Sequence, residues 1–320
     1  MKIINFPIIN SEDKNFGLMG CYTGMLISYA KWKSEKFDFL LCDSWDFKFL
    51  RNPDYPKTLS NNIGVSDLNI SDNLKNIFGA VIEEKAFEEK NLIDFIKFEV
   101  DNDFPVIIKG DVYWCPWSIH FKKIHAPHSF FIIGYDDKDN FICSDYAPRN
   151  IEVNLLKEDL MKGIKGCYKI RLKNRNEDID VNILFDKALS NLKKRNPTQK
   201  LSDFVVFMEE EFDLKQQIEL FNGEILNMPV VWNLLEIGGA RVLFSRFLKR
   251  YIMETGRREL SSIAEQIFSF NKMWTIEQRF FSKALFGKDK EFLDKAIIKL
   301  KEIEVKEKEI WILHIKNYHI

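Results

Sequence analysis

The sequence predicts an α+β domain over residues 1–174, followed by an all-helical domain over residues 175–320. Two observations predict this division. Through about residue 172, short apolar runs typical of strands alternate with helical patterns, whereas after the polar segment 174–178 apolar residues recur at i, i+3 and i+4 almost throughout. A chain of 320 residues is also long enough for two domains of about 100–200 residues each.

Within the first domain, apolar and β-branched runs predict strands and helical spacing predicts helices. The expected strands are residues 105–110, 128–134, 140–145 and 167–172. The expected helices are residues 21–33, 74–78 and 91–100. Residues 37–49 are aromatic and strand-like, and residues 135–140 have the composition of a hairpin turn. The sheet is therefore expected to be antiparallel.

The second domain is expected to be helical almost throughout and to serve as a lid, a docking surface or an oligomer contact. Its predicted helices cover residues 181–194, 200–221, 229–254, 259–286 and 288–306. Gly238 and Gly239 fall inside a predicted helix and indicate either a kink or a close helix contact. Arg246, Lys249 and Arg250 share one helix face, which is either a docking face for an acidic partner or a solvated charged face.

The composition argues against several classes of protein. The chain has 47 basic and 48 acidic side chains, which argues against nucleic-acid binding and against a polybasic membrane-surface protein. No stretch approaches the ~20 apolar residues of a membrane span, and residues 1–13 lack the features of a signal peptide. The five cysteines are scattered and form no CxxC pair, which argues against disulfides and structural zinc and predicts a cytoplasmic protein.

Three residues combine into a possible catalytic set. Cys21 begins a predicted helix, where unpaired backbone N–H groups and the positive end of the helix dipole favour a nucleophilic thiolate. His128 opens a predicted strand and Asp145 ends the next one, 17 residues later, so one hairpin can bring them within hydrogen-bond reach. The imidazole would act as base and the carboxylate would orient it.

Each of these residues also has a simpler interpretation. A cysteine is often a small buried residue, a buried histidine is often structural, and an aspartate at a strand end often forms a turn. Cys115 is the rival nucleophile, since it lies in a predicted loop and not in a strand. Asn15 either stabilises an oxyanion together with the Cys21 N–H or only forms a turn.

A metal site is not expected. His120, His125 and His128 stand at steps of five and three residues in a predicted loop, which matches no common zinc spacing.

The His-to-Asp region carries a family resemblance. Residues 103–113, 116–117, 125–136 and 141–145, with Gly-Cys-Tyr-Thr at 20–23, resemble the N-terminal domain of the butirosin-biosynthesis acyltransferase family. The wider group is similar to the leader-processing cysteine peptidases of the papain-like superfamily. The resemblance covers roughly residues 10–172 and implies a papain-like cysteine-protease fold, with an antiparallel sheet and the nucleophile on an N-terminal helix.

The resemblance implies amide formation in thiotemplated, nonribosomal natural-product biosynthesis. An acyl or peptidyl chain would pass from a carrier-protein thioester to Cys21 and then to a small amine, with no cofactor beyond the phosphopantetheine arm of the carrier. The chain also resembles the enzymes that join carrier-bound chains to a diamine in closthioamide assembly. Two alternatives stay open: a cysteine peptidase or amidase with the same triad, and a non-catalytic papain-like scaffold.

Three further residues are candidates for substrate binding. Tyr113 and Trp114 belong to an aromatic segment that either shields an acyl-enzyme from water or packs as an ordinary loop. Asp111, just upstream, either recognises the amine or is a solvated strand-end carboxylate.

Overall fold

The computed structural model describes residues 1–9, 13, 16–51, 59–65, 70–85, 89–146, 150–172, 179–220 and 229–316. Within these residues the chain is α+β, with an antiparallel sheet and a helical C-terminal region. The predicted fold class is confirmed at this level, while the papain-like fold stays a prediction.

The described strands form one large sheet and one small pair. The strands are β1 (Lys2–Ile3), β2 (Lys48–Phe49), β3 (Ile63–Gly64), β4 (Ala80–Glu84), β5 (Val106–Asp111), β6 (Pro127–Tyr135), β7 (Phe141–Asp145), β8 (Asn150–Leu155) and β9 (Ile164–Leu172). The large sheet has the order β4-β9-β5-β6-β7-β8, with β1 added at the end of β6, and every pair is antiparallel. Strands β5, β6, β7 and β9 confirm the four strands predicted from the sequence.

Helices form in the regions where the sequence pattern predicts them, but several begin or end at other residues than predicted. They are α1 (Cys21–Lys33), α2 (Leu59–Asn62), α3 (Ile70–Phe78), α4 (Glu89–Asp101), α5 (Lys157–Gly163), α6 (Val181–Arg195), α7 (Pro197–Glu210), α8 (Leu214–Leu220), α9 (Pro229–Thr255), α10 (Ser261–Gly287) and α11 (Lys290–Ile310). The predicted bounds of α1 are confirmed. The single helix predicted over 200–221 is wrong, because Asp213 accepts hydrogen bonds from the Lys215 and Gln216 N–H groups and so starts a new helix.

The prediction of a strand over residues 37–49 is also wrong. The segment forms a 3-10 helix at Phe37–Leu41, and only Lys48–Phe49 is strand. Its aromatic side chains are buried against helices: Phe47 stacks on Trp274 with ring centroids 5.8 Å apart, and Phe49 packs on Phe204. Helix packing outside the large sheet therefore accounts for the aromatic pattern.

The chain divides into two compact units whose segments interleave along the sequence. The first unit comprises residues 1–13, 20–40 and 70–179, and the second comprises residues 14–19, 41–69 and 180–320. Segments 14–19 and 41–69 thus group with the C-terminal helices. The predicted domains, 1–174 and 175–320, stay a prediction.

In the first unit, α1 packs against the sheet through β6. Met25, Leu26 and Tyr29 are buried, and the Tyr29 hydroxyl donates to the Ile170 carbonyl at 3.2 Å. Ser28 accepts from the Ile9 N–H and donates to the Gly24 carbonyl, so it fastens the helix to the N-terminal segment. These contacts fix the position of the first turn of α1.

In the second unit, Gly239 explains the glycine pair in the helical pattern. A Cβ on Gly239 would lie 1.8 Å from the carbonyl oxygen of Leu18, and a Cβ on Gly17 would lie 2.7 Å from the Cα of Gly239. A Cβ on Gly238 would in turn lie 2.9 Å from the Cβ of Trp274 on α10, so of the two predictions the close helix contact is the one that the structure supports. On α9 itself, Lys249 pairs with Glu265 at 2.8 Å and Arg250 with Glu254 at 2.7 Å.

Across the helices of the described residues, none combines the length and the hydropathy that a membrane span requires.

Candidate active site

Cys21 is the first residue of α1 and is partly exposed. The first N–H groups of an α-helix have no intrahelical partner, and in α1 no side chain caps them because the preceding residue is Gly20. The Cys21 thiol thus lies at the positive end of the helix dipole. This position suits a nucleophile that must carry negative charge.

His128 and Asp145 meet at the ends of β6 and β7. The His128 Nε2 lies 2.6 Å from the Asp145 Oδ2, and their side chains are 10% and 0% exposed. Cys21 lines the same cleft, and a side-chain hydrogen bond with Cys21 is among the causes that raise the His128 pKa. Since Nε2 is engaged by Asp145, Nδ1 is the nitrogen left for the thiol. The structure thus brings together the three residues that the sequence analysis selected.

The surroundings of His128 hold it in the protonated form. Burial alone would lower its pKa, but the hydrogen bonds and negative charges of Asp145 and Cys21 outweigh burial and raise the pKa to about 10. At neutral pH the ring is therefore an imidazolium, which can stabilise a thiolate on one side while a carboxylate holds it on the other.

The other four cysteines are buried. Burial raises the pKa of Cys42, Cys115 and Cys143, and it raises the pKa of Cys167 to about 12. Cys115, the rival nucleophile of the sequence analysis, is only 2% exposed and its thiol contacts the Asp111 carbonyl. Cys21 is therefore the cysteine best suited to react with a substrate.

Trp117 also belongs to this site, in a role that the sequence pattern does not predict. Its indole Nε1 donates to the Asp145 Oδ2 at 2.6 Å, the same oxygen that contacts His128. Its ring also packs edge-on against Phe130, with centroids 5.3 Å apart. Trp117 thus fixes the carboxylate that orients the histidine. The aromatic loop was visible in the sequence, but the direction of its indole N–H was not.

Asp111 holds the aromatic loop together. Its Oδ1 accepts from the N–H groups of Tyr113 and Ala126 at 3.0 and 3.2 Å, and its Oδ2 lies 2.7 Å from the His125 Nδ1. Burial would raise the pKa of Asp111, but the hydrogen bonds from His125 and the two N–H groups outweigh burial and lower it. The carboxylate is thus charged and largely occupied within the protein.

The remaining site predictions fall at different places. Tyr113 stacks on His125 with ring centroids 4.1 Å apart, whereas Trp114 lines a small neighbouring pocket with Cys115. Asn15, the predicted oxyanion donor, lies outside the described residues. The substrate-binding roles of Asp111, Tyr113 and Trp114 stay predictions. Among the residues that the structure describes, no three His, Cys, Asp or Glu side chains are grouped so as to hold a metal ion.

A cleft of about 670 Å³ opens beside Cys21 and His128. Its lining includes Tyr22, Lys109 and Lys165. A cleft of this size accepts a small-molecule group or one end of a longer chain. The thiol can therefore reach a ligand that binds there.

Gly24 allows α1 to approach the strand that carries Asp145. A Cβ on Gly24 would lie 2.4 Å from the ring of Tyr146, which follows Asp145 and is fully buried. We expect Gly24→Ala to destabilise the protein by about 2 kcal/mol and to slow alkylation of Cys21, because the helix must move away. Urea denaturation and iodoacetamide kinetics measure the two effects.

The matched control is Gly287→Ala at the end of α10. A Cβ there meets only the Cβ of Asp289 at 3.5 Å, an ordinary contact. This variant should stay within about 0.5 kcal/mol of the wild type. Equal stability of the two variants would show that Gly24 is not needed for the close packing.

The family match covers the site. No curated protein matched the chain. The family model described as "Butirosin biosynthesis protein H, N-terminal" matches residues 20–146, less than half of the chain. The matched segment begins one residue before Cys21 and ends one residue after Asp145. Residues 20–146 are therefore similar to the N-terminal domain of the butirosin biosynthesis protein H family, which supports the resemblance found in the sequence.

Proposed function

We propose that the protein is a cysteine-dependent acyltransferase that forms an amide from a carrier-bound thioester. The observation that supports the proposal is the hydrogen bond between His128 and Asp145 beside Cys21, inside the family segment. The family match itself implies a role in antibiotic biosynthesis and suggests an enzyme of the transferase class.

The first half of the proposed reaction loads the acyl chain. The Cys21 thiolate attacks the thioester carbon, and the carbonyl oxygen becomes an oxyanion that the N–H groups at the start of α1 can stabilise. When the carbon–sulfur bond to the carrier breaks, the leaving thiolate takes the proton of the His128 imidazolium. An acyl-Cys21 thioester and a free carrier thiol result.

The second half transfers the chain to the amine. The amine nitrogen attacks the acyl-Cys21 carbon while neutral His128 accepts its proton, and the Cys21 sulfur leaves as a thiolate. Amide formation from a thioester is downhill, so no ATP is required. Water competes with the amine, and the stacked Tyr113 and His125 rings would help to exclude it.

Several finer features belong to the same proposal. The fold would be papain-like, with α1 as the nucleophile helix and Asn15 as a further oxyanion donor. The C-terminal helices would dock the carrier protein or form an oligomer contact. Asp111 already hydrogen bonds with His125. To bind the amine, its carboxylate would have to interact with both groups. A diamine acceptor, as in closthioamide assembly, is one form of this reaction.

Intact-protein mass spectrometry tests the function. The wild type and Cys21→Ala are mixed with a panel of acyl-pantetheine and acyl-carrier thioesters, and amines are then added. We expect a mass gain equal to the acyl group in the wild type, its complete loss in Cys21→Ala, and its removal by amines. Cleavage of peptides without any acyl adduct would identify a peptidase, and inactivity in both assays would favour the scaffold.

A further inference from the structure

Two lysines give the cleft beside Cys21 a cationic side. Lys109 stands on β5 next to Gly110, and Gly110 pairs directly with His128 on β6. Lys165 stands on the neighbouring strand β9 and is exposed at the cleft. The pairing of β5 with β9 shifts between Lys109 and Gly110, which is the irregularity expected of a β-bulge. Bulges of this kind are frequent next to active sites, where they change the direction of a side chain.

Two aromatic rings hold the Lys109 ammonium. Its Nζ lies 4.6 Å from the ring centroid of Tyr22 and 4.6 Å from that of Tyr168. Tyr22 follows Cys21 in the chain, and Cys21, Tyr22 and Lys109 all line the same cleft. The hydroxyls are engaged elsewhere, since Tyr22 hydrogen bonds with Ser71 and Tyr168 with Glu84. The rings therefore fix the position of the cation without neutralising its charge.

The carboxylates beside the cleft already have partners within the protein. Asp111 is paired with His125, and Glu84 accepts from the Tyr168 hydroxyl. Among the described residues, neither Lys109 nor Lys165 forms an ion pair. Lys169, also on β9, pairs with Glu83 at 2.5 Å. Lys109 and Lys165 therefore present positive charge to the cleft without an ion-pair partner in the described part of the protein.

We propose that this side of the cleft binds acyl chains that end in an anionic group, with Lys109 as the partner of a terminal carboxylate. The proposal rests on the proposed function and specifies its acyl donor. A phosphate on a pantetheine arm is separated from the thioester by the whole arm, whereas Lys109 contacts the residue next to Cys21. The anion at Lys109 therefore belongs to the acyl chain. The cationic side of the cleft would repel a protonated amine. This side is therefore available to the acyl chain of the thioester.

The test compares two thioesters of equal chain length. Glutaryl-pantetheine and pentanoyl-pantetheine differ in the terminal carboxylate, and their rates of acyl-Cys21 formation are measured by mass spectrometry. We expect the wild type to prefer the glutaryl chain about tenfold, as a charge-assisted contact provides. Lys109→Met should lose this preference because its glutaryl rate falls about tenfold more than its pentanoyl rate, and Lys109→Arg should retain the preference. The matched control Lys162→Met should behave as the wild type, because Lys162 lies over Trp114 and not over Tyr22.

A second measurement separates this proposal from acyl transfer. Iodoacetate and iodoacetamide alkylate the same thiol and differ in charge, so their rate ratio reports the cationic side even if no thioester reacts. A ratio that falls several-fold in Lys109→Met supports the anion site, and together with no thioester adduct it overturns only the proposed function. Unchanged glutaryl preference and alkylation ratio in Lys109→Met would overturn the anion site, as would a Cys21 inert to every reagent.

Discussion

Replacing Asp145 by alanine is expected to slow acylation of Cys21 by about 10³-fold. The substitution removes the carboxylate that lies 2.6 Å from the His128 Nε2, and it also leaves the Trp117 indole N–H without this acceptor. The imidazole then loses both its orientation and the negative charge that favours its protonated form. Rates of adduct formation with an acyl-pantetheine give the measurement.

Asp145→Asn separates orientation from charge. An amide oxygen in the place of Oδ2 can still accept from His128 and Trp117, but it carries no charge. We therefore expect this variant to keep a rate within about tenfold of the wild type, while the alanine variant does not. Equal rates for the two variants would show that the orienting hydrogen bond does not determine the rate of Cys21 acylation.

The pH dependence of stability follows from the raised pKa of His128. Because the pKa is about 10 in the folded protein and 6.5 ordinarily, the native state holds an extra proton between these values. The stability that this proton provides is complete below pH 6.5 and is lost as the pH rises toward 10. Both Asp145 variants lower the pKa of His128, so their stability should decline less over this window. Imidazole NMR titration and urea denaturation at several pH values provide the measurements.

The reactive residues of the candidate site could be selected from the sequence because local patterns position them. Cys21 begins a helix with clear bounds, and one hairpin joins the strands that carry His128 and Asp145. Trp117 and Lys109 could not be selected in this way. Their roles depend on the direction of a loop indole and on a bulge in strand pairing, and both are set by tertiary contacts.

The fold was predictable where periodicity is strong and failed where buried aromatic residues mimic a strand. Trp45, Phe47 and Phe49 alternate as strand residues do, yet Trp45 packs on Phe244 of α9 and Phe47 on Trp274 of α10. Alternation reports only that one set of side chains is buried, not what covers it. The interleaving of the two compact units could not be predicted for the same reason, because contacts between residues about 200 positions apart leave no local pattern in the sequence.

Glu307 is the residue whose loss should destabilise the second unit most. It is fully buried in α11 and accepts from the Arg241 Nε at 2.9 Å and Nη2 at 2.8 Å. It also accepts from the indole N–H groups of Trp45 at 3.2 Å and Trp274 at 2.9 Å. Arg241 in turn donates to the carbonyls of Asp46 and Ile237. The Glu307 carboxylate therefore accepts from four buried donors, two on the Arg241 guanidinium and two indole N–H groups.

Glu307→Leu is accordingly expected to cost about 3–5 kcal/mol in the free energy of unfolding, because it leaves the Arg241 guanidinium buried without its counter-charge. The exposed neighbour Glu309→Leu is the control and should change stability by less than about 0.5 kcal/mol. The double variant Arg241→Met/Glu307→Leu should recover part of the loss, since it removes the uncompensated charge. Urea denaturation followed by circular dichroism, with hydrogen exchange of the α9 and α11 amides, measures all three. A double variant no more stable than Glu307→Leu would mean that packing around Arg241, and not its charge, holds these helices together.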